Sequence, residues 1–294
     1  MKHSNNGSIF KRRFLRINVS LGKVIKQFGS SDIRLFRVEV KKLRALLRLI
    51  KTENEVKELA LPKKLHKFYK EVGAIRTFRL QQKLVRYSVL KINPDIRPKA
   101  YLNLLTTKIK HSISYARSIA KDKDPFKRGK QQLEKQIPRK LGIATMREFT
   151  WEEVNSLKNL LGSVFTSDAS LHAIRKIFKD LLYTWPYIQK EARVILPSAI
   201  FCSREDLDFI AKRLGKFQDT CTSIDLLREY NSSQENDRNE QLFLTAMEKM
   251  WLTEKDILRS EIHNLFHKRI PARQSFTFLA DGHHAAIENK LLTR

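Results

Sequence analysis

Cysteine is scarce, with only Cys202 and Cys221 in 294 residues and neither in a CxxC or related spacing. That excludes a disulfide-built scaffold and points to a reducing compartment. Nine glycines and eight prolines are too few for a collagen-like or low-complexity chain. Long apolar runs are missing too: the longest charge-free stretch, Val194 to Ser203, is about half of what a spanning helix needs and contains Pro197. The basic N-terminus (Lys11, Arg12, Arg13, Arg16) is not followed by an apolar signal core. A cytoplasmic protein is therefore expected, with no membrane insertion and any attachment peripheral. There is no Gly-rich phosphate loop and no nucleophile elbow.

Acid is what the first half lacks most. The whole chain carries 58 Lys and Arg against 31 Asp and Glu, a net charge of +27. Residues 1–147 hold 38 cations and 10 anions, a net +28, whereas residues 148–294 hold 20 and 21, a net −1. An asymmetry of this size reports a polyanionic partner such as nucleic acid, acidic lipid or polyphosphate. Self-repulsion opposes compaction of the basic half, so a bound anion is expected to stabilise the fold.

Apolar residues recur at three- and four-residue spacing with no convincing strand alternation, which predicts an all-α protein. Expected helices run from about Phe14 to Phe28, ending at Gly29, and from Asp32 to Lys51, with Ser30 and Ser31 as cap candidates. Others cover Lys63 to Lys91 after Pro62, and Pro98 to Lys121 with Pro98 in the first turn. Residues 122–149, with Pro125, Gly129, Pro138 and Gly142, read as a linker holding one short helix. Beyond it, Thr150 to Glu153 has capping-box spacing and opens a helix ending near Gly162. Helices from Asp168 to Lys190, kinked or ended by Pro186, Arg204 to Tyr230, and Gln234 to His267 complete the chain. Ser203 and Asp206 form another capping-box spacing.

One helix stands out. Ile33, Phe36, Val40, Leu43, Leu47 and Ile50 form a packing seam, and one position further on Arg34, Arg37, Lys41, Arg44, Arg48 and Lys51 repeat the same spacing. Six cations thus line one edge for roughly 25 Å. A solvated face normally mixes signs, but here each neighbour in the stripe is another cation. The five like-charge contacts would cost about 1 to 2.5 kcal/mol in all, unless an anion compensates. A fainter copy follows 138 residues later, where Leu171, Ile174, Phe178, Leu181 and Trp185 align with the seam and His172, Arg175 and Lys179 with Arg34, Arg37 and Lys41. Gly73 and Gly215, each mid-helix, correspond at a shift of 142. This reads as an internal duplication.

In DIRLFRVEVKKLRALLRLI (32–50), SLHAIRKIFKDLLYTW (170–185), VGAIRTF (72–78) and LGKFQDT (214–220), the chain resembles the CHAD family, the conserved histidine α-helical domain. The resemblance implies an all-α CHAD-like domain over 10–270. It would consist of two similar four-helix bundles related by a pseudo-twofold axis, with a basic groove or pore between them. The first, strongly basic bundle would span 10–121, a linker 122–149 and the second bundle 150–270, with a tail at 271–294. The implied activity is binding of inorganic polyphosphate without catalysis. The matching cations are Arg37, Lys41, Lys42 and Arg44 in the first copy, and His172, Arg175, Lys176 and Lys179 in the second. Arg34, standing where the family has its first histidine, and Arg48 extend the rail. The acid expected after Arg76 is Thr77 here, which leaves the first glycine segment without the acid for an ion pair of its own, whereas Asp219 is present in the second copy.

Other chemistry is less well supported by the residues. His263 and His267 have two-ligand metal spacing without an identifiable third ligand, so no metal or cofactor is expected. Glu205, Asp206 and Asp208 suit a helix N-terminus better than a metal-dependent phosphohydrolase. Nucleic acid is the main alternative partner, since +28 attracts any polyanion. Single-strand binding would call for exposed stacking aromatics, and in the clearest stripe the aromatic, Phe36, falls on the core seam.

Overall fold

The three- and four-residue spacing is realised as helix throughout. A computed structural model describes residues 6–51, 59–138, 140–162, 167–195, 204–233 and 238–269, and no strand occurs among them. The helices are α1 (Asn6–Gln27), α2 (Ser30–Lys51), α3 (Lys63–Ile92), α4 (Lys99–Ile119), α5 (Lys127–Glu134), α6 (Ile143–Gly162), α7 (Asp168–Ile195), α8 (Arg204–Ser233) and α9 (Arg238–Arg269). None is long and apolar enough to cross a membrane.

Several boundaries differ from the sequence expectation for local reasons. α1 begins at Asn6 rather than near Phe14, because Phe10 is buried against Phe14 with ring centroids 4.7 Å apart, extending the apolar face by a turn. Its end is formed by Phe28 rather than Gly29. Phe28 takes the left-handed conformation (φ 51) and buries its ring to 1% exposure, which offsets the strain. α2 then starts at Ser30, so Ser30 and Ser31 are first-turn residues, and Gly29 accepts the N–H of Ile33 at 3.0 Å. Pro98 stands just before α4 and accepts the N–H of Leu102.

The expected cap at Thr150 is corrected as well. α6 starts at Ile143, and Thr150 is an interior residue whose hydroxyl donates to the Met146 carbonyl at 2.7 Å. Pro186 does not end α7, which runs on to Ile195. Trp185, Ile188 and Ala192 continue its buried seam on both sides of the proline, and that packing outweighs the ~3 kcal/mol cost of an interior proline. Ser203, Cys202 and the tail with His283 and His284 lie outside the described residues.

The core has three parts. Phe10, Phe14 and Ile17 of α1 pack with the α2 seam and with Phe68 and Val72 of α3. Leu157, Ile174, Phe178, Leu214, Phe217, Ile262 and Phe266 form the second part, which also takes in Leu49 of α2. The third straddles the halves, bringing Val85, Tyr101 and Leu105 of α3 and α4 against Leu227, Tyr230, Met247 and Trp251 of α8 and α9. α2 and α7 pack directly on one another, so the two cationic stripes meet along the join between halves.

Candidate functional site

The α2 seam is buried as expected: Ile33, Phe36, Val40, Leu43, Leu47 and Ile50 are at most 1% exposed. That fixes the rotation of α2 and places Arg37 and Lys41 between α3 and α7. Arg37 donates from Nη1 to the Tyr69 carbonyl at 3.0 Å, and its guanidinium stacks 4.4 Å from the Tyr69 ring centre. Gly73, one turn beyond Tyr69, makes this approach possible, because a Cβ there would overlap the Arg37 guanidinium. In the second half Arg175 lies beside Gly215 in the same way, though less closely: a Cβ at 215 would stand 3.6 Å from Arg175 Nε. That Nε is buried without a hydrogen-bond partner.

Lys41 sits at the centre. It is half-buried, and among the described residues no ion pair or hydrogen bond holds its amine. Burial, followed by the charges of Arg37, Arg175, Arg76 and Lys179, pushes its pKa down to about 7. Burial also lowers the pKa of Arg37; Tyr69 and Asp219 oppose that shift, while Arg76 and Arg175 add to it. Lys179 is lowered mainly by burial, with Asp208 opposing from 3.5 Å. The nearby carboxylates are already engaged. Asp219 accepts from Arg76 at 3.1 and 3.4 Å, and Asp208 is shared between Lys179 and Lys212.

The remaining expected site residues divide. Arg34 and Arg44 are exposed on α2 and Lys176 on α7, flanking the cluster. His172 is exposed, with Nδ1 2.7 Å from Gln218 Oε1. With Gln218 accepting, Nδ1 carries the ring proton, so the ring donates to an anion through Nε2 only as imidazolium. Lys42 is not brought to the cluster, because one helical step from Lys41 turns it to Glu39, at 2.7 Å, which also binds Arg13. Arg48, expected on the rail, is placed as an interhelical clasp: its guanidinium binds Asp180 of α7 and, at 2.6 Å, Glu153 of α6. Burial pushes Glu153 up to about 7, with Arg48 opposing and Asp180 adding. The side chains of Lys51 and His267 lie outside the described residues. Among the described residues, no group of three or more His, Cys, Asp or Glu is placed to hold a metal ion.

Sequence reasoning missed Arg76, Tyr69 and the acids Asp180 and Glu153. Arg76 and Asp219 lie just past the two glycines, which was the available signal. Their pairing across the halves, rather than within one segment, is a tertiary result.

No family model and no curated protein sequence matches this chain. Among solved structures, the crystal structure of the CHAD domain from the plant Ricinus communis is similar to it. The match covers 87% of this chain and 90% of that one, with a TM-score of 0.63 and 17% sequence identity. The fold is therefore that of a CHAD domain.

Proposed function

We propose that this chain, built on the CHAD fold, binds inorganic polyphosphate in the cationic cleft between α2 and α7 without turning it over, in the reducing setting of a cytoplasm. The observation that carries the reading is Lys41, half-buried among Arg37, Arg76, Arg175 and Lys179 with no carboxylate bound to its amine. Such a cluster costs folding free energy in the empty protein, and a chain of phosphates supplies the missing negative charge without requiring base-stacking surfaces. Arginine forks at Arg37 and Arg175 suit phosphate oxygens, and the buried Arg175 Nε still needs an acceptor. Arg34, Arg44 and Lys176 extend the track outwards, and His172 joins it when protonated. The carboxylates at the site are held by Arg76, Arg48, Lys179 and Lys212, which leaves the cleft's nitrogen donors facing the ligand.

The test is a competition. Labelled long-chain polyphosphate is bound at near-physiological salt, and DNA or RNA of equal phosphate content is added in excess. Retention of polyphosphate is the expected result. Stoichiometric displacement would overturn the specific reading in favour of a general nucleic-acid binder.

A further inference from the structure

Lys41 is half-buried in the cleft, and among the described residues no ion pair or hydrogen bond holds its amine. From α2 it faces Arg37, from α3 Arg76, and from α7 Arg175 and Lys179, all of the same sign. Lys41 is among the charges acting on Asp180 of α7, and that carboxylate is clasped by Arg48. Asp219 and Asp208 of α8 are bound to Arg76 and to Lys179 and Lys212, respectively. α6 offers Glu153 to Arg48, and α1 offers Arg13 to Glu39; neither is among the principal charges acting on Lys41.

We propose that polyphosphate binding in this cleft is coupled to uptake of a proton by Lys41, so that affinity falls as the surroundings become more alkaline. The inference rests on the polyphosphate reading of the site. With burial and its cationic neighbours holding the amine near 7, the empty protein keeps a large fraction of Lys41 uncharged at neutral pH. Phosphate oxygens between the two helices favour the ammonium form and raise its pKa. Between the free and the liganded values the complex binds more protons than the free protein, so affinity drops with rising pH, by up to about tenfold per pH unit for a single proton. The neutral amine limits the self-repulsion of the empty cleft, and the proton arrives with the ligand that needs it.

The experiment is calorimetric titration of the full chain with long-chain polyphosphate at pH 8, in buffers of different ionisation heat. Wild type should take up close to one proton per occupied cleft. Lys41→Arg, whose charge is permanent, should take up about one proton fewer than wild type and should bind with an affinity that falls less steeply from pH 7 to 9. Lys41→Met should also lose that proton, which separates the amine from general charge. Proton exchange by His172 and by the ligand's terminal groups is common to all three proteins and cancels in the comparison. Equal uptake by wild type and Lys41→Arg overturns the proposal.

A ligand-free readout separates the two levels of the argument. The pH dependence of amine labelling at Lys41, followed by peptide mass mapping, should show a midpoint near 7. A midpoint in the ordinary lysine range of about 10.4 overturns the coupling and leaves polyphosphate binding standing. A midpoint near 7 with no polyphosphate binding overturns the functional reading, and with it the coupling to this ligand.

Discussion

The two mid-helix glycines are equivalent in sequence and unequal in space, so one substitution made at each position has opposite expected effects. Alanine in a helix interior is favoured over glycine by about 0.8–1.0 kcal/mol. At Gly215 the new Cβ meets Arg175 Nε at ordinary contact distance, so Gly215→Ala should realise most of that gain. For a chain of this size it should raise the melting temperature by about 2–3 °C. At Gly73 the Cβ overlaps the Arg37 guanidinium, the far end of a flexible side chain. Arg37 must therefore swing out, while the backbone of α3 stays in place. It loses a charged hydrogen bond to the Tyr69 carbonyl, about 1.5–3 kcal/mol, and a ring contact of about 0.5–2 kcal/mol. After the helix-propensity gain, Gly73→Ala should be destabilised by about 1–4 kcal/mol. It should also bind polyphosphate about tenfold or more weakly, because the displaced fork no longer faces the cleft. Parallel thermal unfolding of the two variants, with polyphosphate titrations at one salt concentration, decides the matter. Equal shifts of the same sign at both positions would refute the claim that Gly73 exists to admit Arg37.

The double variant Arg37→Ala with Arg44→Ala should retain its helical circular dichroism and lose at least tenfold in polyphosphate affinity, since each charged contact contributes about 1.5–3 kcal/mol; unchanged affinity would move the site elsewhere on the basic half. Arg48→Ala strands Glu153 and Asp180, whose side chains are only 5% and 17% exposed. Arg48 is itself half exposed, so the loss of stability should fall below the 3–5 kcal/mol of a fully buried pair, at about 2 kcal/mol in denaturant unfolding, with a smaller effect on binding than the double variant. Burial raises Glu153 from its ordinary carboxylate value to about 7, so the folded state binds more protons than the unfolded state between those values, and stability falls as pH rises through that window. The melting temperature of wild type should therefore fall more steeply from pH 5 to 8 than that of Glu153→Gln, and parallel slopes would count against the shift. Melting temperature should also climb with polyphosphate concentration in wild type, and no change at saturation would count against binding to the folded state.

The α2 stripe was legible because helical periodicity ties a cation's direction to that of its apolar neighbour. Once Phe36, Val40 and Leu43 are buried, Arg37 and Lys41 have little freedom in where they point. Gly73 and Gly215 were legible as mid-helix glycines for a related reason, since a residue that weakens a helix marks a place where something comes close. The same local logic misled at Thr150 and Glu153, whose spacing matches a capping box. Glu153 is instead drawn into the join by Arg48, and the helix begins a full turn or more earlier. Arg48 has the same helical address as Arg37 and Arg44 but a different role, because α6 and α7 happen to present acids where it emerges.

The all-helical architecture, the buried seams, the crowding of positive charge into the first half and the identity of its most ordered stripe follow from the sequence alone. They depend on composition and on spacings within about seven residues, which the helix converts directly into geometry. Which cations remain available to an anion does not follow from it. Lys41 became the unpaired centre, while Lys42 and Arg48 were neutralised, through contacts separated by up to 132 residues in the chain. Glu240 of α9 likewise reaches across the halves to accept the first backbone N–H groups of α4. Pairings of that kind are set by how the two halves dock, and docking depends on the shapes of whole helix faces, which local spacing does not encode.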